Sequence, residues 1–223
     1  MSGIFVNKCA VCGQLLREGE YLCYHCRRVL IPINGKICAK CGREKFFCVC
    51  GKAPIRFVSR TAAPFYYDGA ARQAVVRLKF GGGYGALDFF ADKMQQSFEA
   101  HLSDQEFDAI CCVPSSAHSL QQRGFNQSAQ LAKRLSRRLN IPFMPRLLRR
   151  VLPASTQHTL PALHLRSGNV FGIFEADVRR VRGLRILLVD DVMTTGSTAG
   201  ECAKILRLRG ASQVCILTAA LGK

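Results

Sequence analysis

Residues 186–198, ILLVDDVMTTGST, set an apolar run, two carboxylates, a loop of hydroxyl residues around one glycine, and a helix start in unbroken succession. Each part has a chemical use. The apolar run suits a buried strand, and in an open α/β sheet ligands sit beyond the carboxyl ends of the strands. A turn rich in Gly and Thr brings backbone N–H groups close around a phosphate. The helix that follows adds unpaired N–H groups and about half a positive charge at its start. The carboxylates of Asp190 and Asp191 accept hydrogen bonds from a sugar diol and can approach Mg²⁺. An ordinary capped turn between strand and helix has no use for the acidic pair.

This order resembles the binding motif for phosphoribosyl diphosphate (PRPP) of type I phosphoribosyltransferases. By that resemblance Asp190 and Asp191 hold the ribose hydroxyls, and Thr194, Thr195, Gly196, Ser197 and Thr198 hold the 5-phosphate. Such proteins also need a loop that receives pyrophosphate after an earlier strand. Pro114, Ser115, Ser116 and Ala117 take that place, directly after the apolar stretch FDAICCV at 107–113. Their small size suits a turn of N–H groups toward an anion.

The string RGFNQ, Arg123 to Gln127, comes a few residues later. With a cysteine-rich N-terminus, an LKF segment (Leu78-Lys79-Phe80) and the motif at 186–198 in the same order, it resembles the ComF family of bacterial competence and DNA-uptake proteins. The resemblance covers essentially the whole chain. It implies Arg123, Asn126, Gln127 and Lys79 as pocket residues, and a role in natural transformation on the cytoplasmic side. One stretch departs from the family pattern. Gln157, Leu160, Arg166 and Asn169 are present before the Phe-containing strand, but Arg166 and Asn169 lie late and Pro161 and His164 intrude. No role is given to Arg166, Asn169, His158 or His164.

Eight of the twelve cysteines fall in the first fifty residues, as Cys9/Cys12, Cys23/Cys26, Cys38/Cys41 and Cys48/Cys50. In a reducing compartment that density points to metal rather than disulfides. Two short knuckles about ten residues apart are standard for a tetrahedral Zn²⁺ held by four thiolates, whereas iron–sulfur ligands follow other spacings. Cys9, Cys12, Cys23 and Cys26 make one set; Cys38, Cys41, Cys48 and Cys50 make a second with a less regular end. An interleaved pairing, Cys9/Cys12 with Cys38/Cys41, is also open, so one or two Zn²⁺ are expected. A segment this short buries little apolar surface, and metal binding of roughly 10 to 16 kcal/mol in small fingers supplies its folding energy. The expected site is structural and closed. Cys111, Cys112, Cys202 and Cys215 lie in apolar surroundings and are expected as small buried hydrophobes.

The elements that must hold these groups follow from periodicity. The composition changes at Gly51-Lys52-Ala53-Pro54, which divides the chain into a zinc-ribbon module, 1–52, and a phosphoribosyltransferase-like α/β domain, 53–223. In the second part, extended segments are expected at 59–67, 107–113, 141–148, 170–175, 185–190 and 213–219. Helices are expected at 70–80, 88–102, 124–139 and 197–209, with a mobile loop at 152–169. Strands alternating with helices imply right-handed crossovers and a mostly parallel sheet flanked by helices.

The chain carries 32 basic against 15 acidic residues, a formal charge of +17. Such an excess favours phosphate-bearing partners, either PRPP or another ribose 5-phosphate, or single-stranded DNA. Arg27, Arg28, Lys36, Lys40, Arg43 and Lys45 bring charge to the cysteine module, but stacking aromatics are sparse there. No stretch reaches the roughly 18 apolar residues of a membrane span, and the N-terminus lacks the features of a secretory signal. A cytoplasmic protein is expected. Two functions stay open: a PRPP-binding protein that handles DNA with the uptake machinery, and an active phosphoribosyltransferase using PRPP and Mg²⁺ with an unidentified acceptor. An acceptor-selecting hood is not identifiable, and the zinc module is the candidate for its place.

Overall fold

The computed structural model describes residues 7–51, 55–80, 83–151 and 173–223. The first knuckle turns between β1 (Asn7–Lys8) and β2 (Leu15–Leu16), an antiparallel pair, and α1 (Tyr24–Val29) carries the fourth cysteine. The second cysteine set closes around a single 3-10 turn, Lys45–Phe47. After it come β3 (Thr61–Ala62), β4 (Phe65–Tyr66), α2 (Gly69–Phe80), α3 (Gly83–His101), β5 (Ala109–Cys112), α4 (Ala117–Arg123) and α5 (Gln127–Leu139). The rest is β6 (Leu148–Arg150), β7 (Phe174–Ala176), α6 (Val178–Val181), β8 (Arg185–Met193), α7 (Ser197–Leu208) and β9 (Gln213–Leu221).

The main sheet has the order β3-β9-β8-β5, with β4 continuing along β9, and every pairing in it is parallel. β6 and β7 form a separate antiparallel pair. The centre of the sheet is apolar on both faces, as the near-continuous hydrophobic runs of β8 and β9 require. Side chains alternate across β8. Leu187 and Val189 pack with α2, α3 and α5, while Ile186 and Leu188 pack with Cys202, Ala203 and Leu206 of α7. Cys111, Cys112, Cys202 and Cys215 are all buried in these layers.

Unequal strand length opens the site. β5 stops at Cys112 opposite Val189, but β8 runs on to Met193 beside β9. From Asp190 onward β8 therefore has a strand neighbour on one side only, and the other side faces a crevice. The sequence pattern ends this strand at 190; in the structure the acidic pair lies inside it, because Thr218 and Ala220 of β9 continue the ladder.

The extended segment expected at 141–148 forms only an isolated bridge, Phe143 with Ile110, before β6 at Leu148–Arg150. Three further expectations change. α3 begins at Gly83 rather than 88, although GYG is poor helical sequence. Its start packs beside the first knuckle, with the Gly85 Cα facing the Lys8 carbonyl, so tertiary contact overrides propensity. α4 was not expected as an element. None of its residues is buried, so it has no apolar stripe to read; it is made by its ends, Ser116 accepting from the Ser119 N–H and Gly124 closing in the left-handed region at φ 76°. The strand expected at 170–175 is found at Phe174–Ala176, and 170–172, like the loop at 152–169, lies outside the described residues.

The cysteine-rich segment packs into both layers. Cys9 and Cys26 join the cluster on the α3 side, and Cys41 joins the one on the α7 side. The Thr61 N–H and hydroxyl donate to the Ala39 and Lys40 carbonyls at 2.8 Å each, the Lys40 ammonium donates to the Val58 carbonyl, and the Glu44 N–H donates to the Tyr66 hydroxyl at 2.9 Å. Of the expected boundary at 51–54, residues 52–54 lie outside the described residues.

Candidate functional site

The cysteines gather in sequence order. Cys9, Cys12, Cys23 and Cys26 form one group and Cys38, Cys41, Cys48 and Cys50 another, with all sulfurs of a group within 4.8 Å of one another. This excludes the interleaved pairing. The fit to Zn²⁺ is geometric: a tetrahedron with Zn–S of about 2.3 Å has edges of about 3.8 Å. Cys12–Cys23, Cys38–Cys50 and Cys41–Cys48 are each 3.8 Å apart.

Electrostatics agree. Burial pushes the Cys9 thiol up, but the N–H groups of Cys12, Cys23 and Val11 hold it down to about 6. Burial likewise opposes Cys41, which the N–H groups of Arg43 and Val49 and the neighbouring thiols bring to about 7. Burial and the adjacent sulfurs push Cys50 up to about 12 and Cys26 higher still. Four thiolates at such spacing require a divalent cation to coexist.

The second site is the crevice beside β8, a cavity of about 270 Å³. Lys79 enters from α2, and its ammonium lies 2.9 Å from an Asp191 oxygen. Ser128 enters from α5 and donates to Asp190 Oδ1 at 3.1 Å, while the Asp191 N–H donates to the same oxygen at 2.9 Å. Asp190 is only 6% exposed. Burial, then the charge of Asp191, pushes its carboxyl well above the usual carboxylate range.

Ser115 and Ser116, the expected pyrophosphate loop, line the opposite side with Ser119 of α4. Ala117 begins α4 and does not line the cavity. Arg123 and Gln127 complete that wall, the guanidinium donating to Gln127 Oε1 at 3.4 Å and lying 5.4 Å from the Phe80 ring centre. Arg123 Nε and Gln127 Nε2 are buried donors without a partner among the described residues. Arg150 of β6 adds a third cationic side chain.

Of the loop at 194–198, Thr198 reaches the cavity and Thr194, Thr195, Gly196 and Ser197 do not line it. Gly196 caps α7 at φ +79°, and a Cβ there would lie 3.3 Å from Ile55. Gly196 has no side chain to cap this helix; the Thr195 hydroxyl accepts the Ser197 N–H at 3.3 Å and bonds the Ser197 hydroxyl at 2.8 Å. Its first N–H groups have no intrahelical acceptor. Asn126 braces the site rather than lining it. Its Oδ1 accepts the Ala129 N–H as the cap of α5, and its Nδ2 donates to the Val113 carbonyl at 3.0 Å.

Ser119, Ser128 and Arg150 were missed from sequence. The serines carry no local signal, and Arg150 sits in an arginine run that reads as solvated charge. Burial and the Asp190 charge push the Cys112 thiol up to about 12. No residue of the cysteine-rich segment lines the cavity among the described residues.

Comparison with known proteins found two matching domain families. The double zinc ribbon domain family matches residues 1–55 and the phosphoribosyl transferase domain family matches 125–222. The chain is 28% identical to "Competence protein ComFC" of Bacillus subtilis (strain 168) over 88% of its own length and 82% of that protein. It is 39% identical to "DNA utilization protein YhgH" of Salmonella typhi over 48% of its length and 46% of that protein. Among solved structures, an adenine phosphoribosyltransferase from Thermoanaerobacter pseudethanolicus is similar at 22% identity and a TM-score of 0.41, over 65% of this chain and 70% of that one. No helix among the described residues is long and apolar enough to cross a membrane.

Proposed function

The chain belongs to the ComF family, a double zinc ribbon joined to a type I phosphoribosyltransferase fold, and from that premise we propose that it binds PRPP, or a closely related ribose 5-phosphate, in the crevice beside β8. The observation that carries this reading is the pairing of Asp190 and Asp191 with three cationic side chains and two unsatisfied buried donors, Arg123 Nε and Gln127 Nε2. Such donors need acceptor oxygens, and a diphosphate supplies them. The acidic pair takes the ribose diol, and the N-terminal N–H groups of α7 take the 5-phosphate. Mg²⁺ would neutralise the diphosphate, with Asp190 and Asp191 the nearest carboxylates. Lys79 then acts as a counter-ion to Asp191 that a bound cation and sugar displace.

The wider role we assign is in DNA uptake on the cytoplasmic side, where the +17 charge favours contact with single-stranded DNA and the uptake machinery. Transfer of the phosphoribosyl group to an acceptor is a second reading. Phe80 favours it: the ring is 65% exposed and lies against Arg123 at the edge of the cavity, offering a face to a planar base.

Calorimetry with PRPP and Mg²⁺ tests the binding reading, comparing wild type with Asp190→Asn/Asp191→Asn. Wild type should bind and the double variant should bind at least about tenfold more weakly. Equal affinity, or no binding by either, sinks it. Pyrophosphate release with one of a panel of nucleobases would establish transfer; binding without release would leave a PRPP-responsive binding protein. For DNA, affinity for single strands should fall steeply between 50 and 200 mM salt, as phosphate contacts require.

A further inference from the structure

Arg43 is the most buried charged side chain of the cysteine-rich segment, 2% exposed, and no carboxylate is among its hydrogen-bond partners. Its backbone belongs to the Cys38–Cys41 knuckle: the Cys38 N–H donates to the Arg43 carbonyl at 2.7 Å and the Gly42 N–H to the Cys38 carbonyl at 2.8 Å. Gly42 is held at φ +73°, where an added Cβ would lie 2.9 Å from the Thr61 carbonyl oxygen. The knuckle is thus pressed onto β3 in one orientation. From there the guanidinium reaches across to the far ends of β8 and β9. Nε donates to the Gly222 carbonyl at 2.7 Å and Nη2 to the Thr194 carbonyl at 2.7 Å.

Those two carbonyls flank the beginning of the phosphate loop. Met193 ends β8, Thr194 opens the loop, and the Gly222 N–H donates to the Met193 carbonyl at 2.9 Å. A Cβ on Gly222 would come within 3.0 Å of the Thr194 Cα, so the tail of β9 lies directly against the loop. The planar fork of one arginine therefore holds both chain segments at once, which a single-point cation cannot do. The Thr195 and Ser197 side chains make only local bonds, to each other and from the Ser197 N–H to the Thr195 hydroxyl, so this clamp is the loop's long-range side-chain anchor among the described residues.

We propose that Arg43 is a positioning residue for the phosphate loop at 194–198, so that the zinc-held Cys38–Cys41 knuckle sets how well that loop receives a 5-phosphate. The affinity part rests on the PRPP reading above; the clamp itself does not. Arg43 touches no ligand and lines no part of the cavity. It acts by keeping the Thr194 peptide, and with it the start of α7, in a fixed orientation before binding, which lowers the ordering cost that binding would otherwise meet.

The test uses zinc-loaded full chain as wild type, Arg43→Gln and Arg43→Lys. Residue-resolved amide exchange is followed at Gly200 and Gly222, whose N–H groups donate to the Gly196 and Met193 carbonyls, with Ile216 in mid-sheet as reference. In Arg43→Gln the first two should exchange about tenfold faster and the reference should not, and PRPP–Mg²⁺ affinity should fall about tenfold by calorimetry. Arg43→Lys, keeping the charge but one donor point, should fall between. Zinc content should stay at two per chain. Unchanged exchange at Gly200 and Gly222, or equal acceleration at all three amides, overturns the clamp, since the latter is general destabilisation. If Arg43→Gln does not fold, Arg43→Lys carries the same readouts. Failure of wild type to bind PRPP would remove the proposed ligand, while the exchange data would still decide the clamp.

Discussion

Asp190 shows how a single residue trades stability for function. It is buried against Ser128 and Asp191, and both burial and the neighbouring charge raise its carboxyl. A group raised in the folded state binds its proton more tightly folded than unfolded. Its favourable contribution is complete below the unfolded value of about 3.9 and is lost as pH rises through the folded value. At neutral pH the ionised form is a burden on the fold. Asp190→Asn should therefore raise the melting temperature of the ligand-free protein at pH 7 by about 2–4 °C, the shift that about 1 kcal/mol produces in a domain of this size. The gain should shrink as pH is lowered, while PRPP binding weakens. A melting temperature that falls at pH 7 would show that Asp190 is held for structure. The residue type and its neighbour were legible in the sequence; its burial was not, because a strand end next to a loop reads as exposed.

Among the elements, the start of α5 is the joint that keeps the two sides of the crevice together. Asn126 caps the helix through Oδ1 and ties it to the residue after β5 through Nδ2, which sets Ser128 against Asp190 and Gln127 in the cavity wall. Asn126→Ala removes both bonds and should cost about 1–2 kcal/mol, read from denaturant unfolding. Asn126→Asp keeps the cap and loses the tie, so about half the loss should return. Equal stability of wild type and the alanine variant would refute this role. The RGFNQ string pointed to these positions through the family resemblance, with Asn126 as a pocket residue. The geometry instead makes it a brace, because both ends of its amide are engaged in the backbone. α4 was invisible for the opposite reason: it buries nothing, and only its caps make it a helix.

At the scale of the whole molecule, the cysteine-rich segment and the α/β domain share their cores. Cys9, Cys26 and Cys41 are buried among the sheet's own side chains, and Arg43 spans from one zinc knuckle to the ends of β8 and β9. Zinc removal should consequently reach beyond the ribbons. Two Zn²⁺ per chain are expected by elemental analysis, and stripping them should lower the melting temperature of the α/β domain by at least about 10 °C. By reciprocity a ligand that stabilises the loop should slow zinc loss to a chelator. An α/β domain that melts at its wild-type temperature without zinc would show two independent units.

The motif at 186–198 was readable from sequence because its chemistry is local. Strand, carboxylates, glycine turn and helix start follow one another along the chain, and the spacing itself fixes what backbone N–H groups and oxygens can do. The same holds for each zinc knuckle, where two cysteines two or three residues apart already define half a tetrahedron. Which halves combine, where the ribbons dock, and which side chains from α2, α5 and β6 complete the crevice were decided by the tertiary structure. Those contacts join residues far apart in the chain, such as Lys79 with Asp191 and Arg43 with Thr194. They depend on the directions of whole elements, which local spacing does not encode.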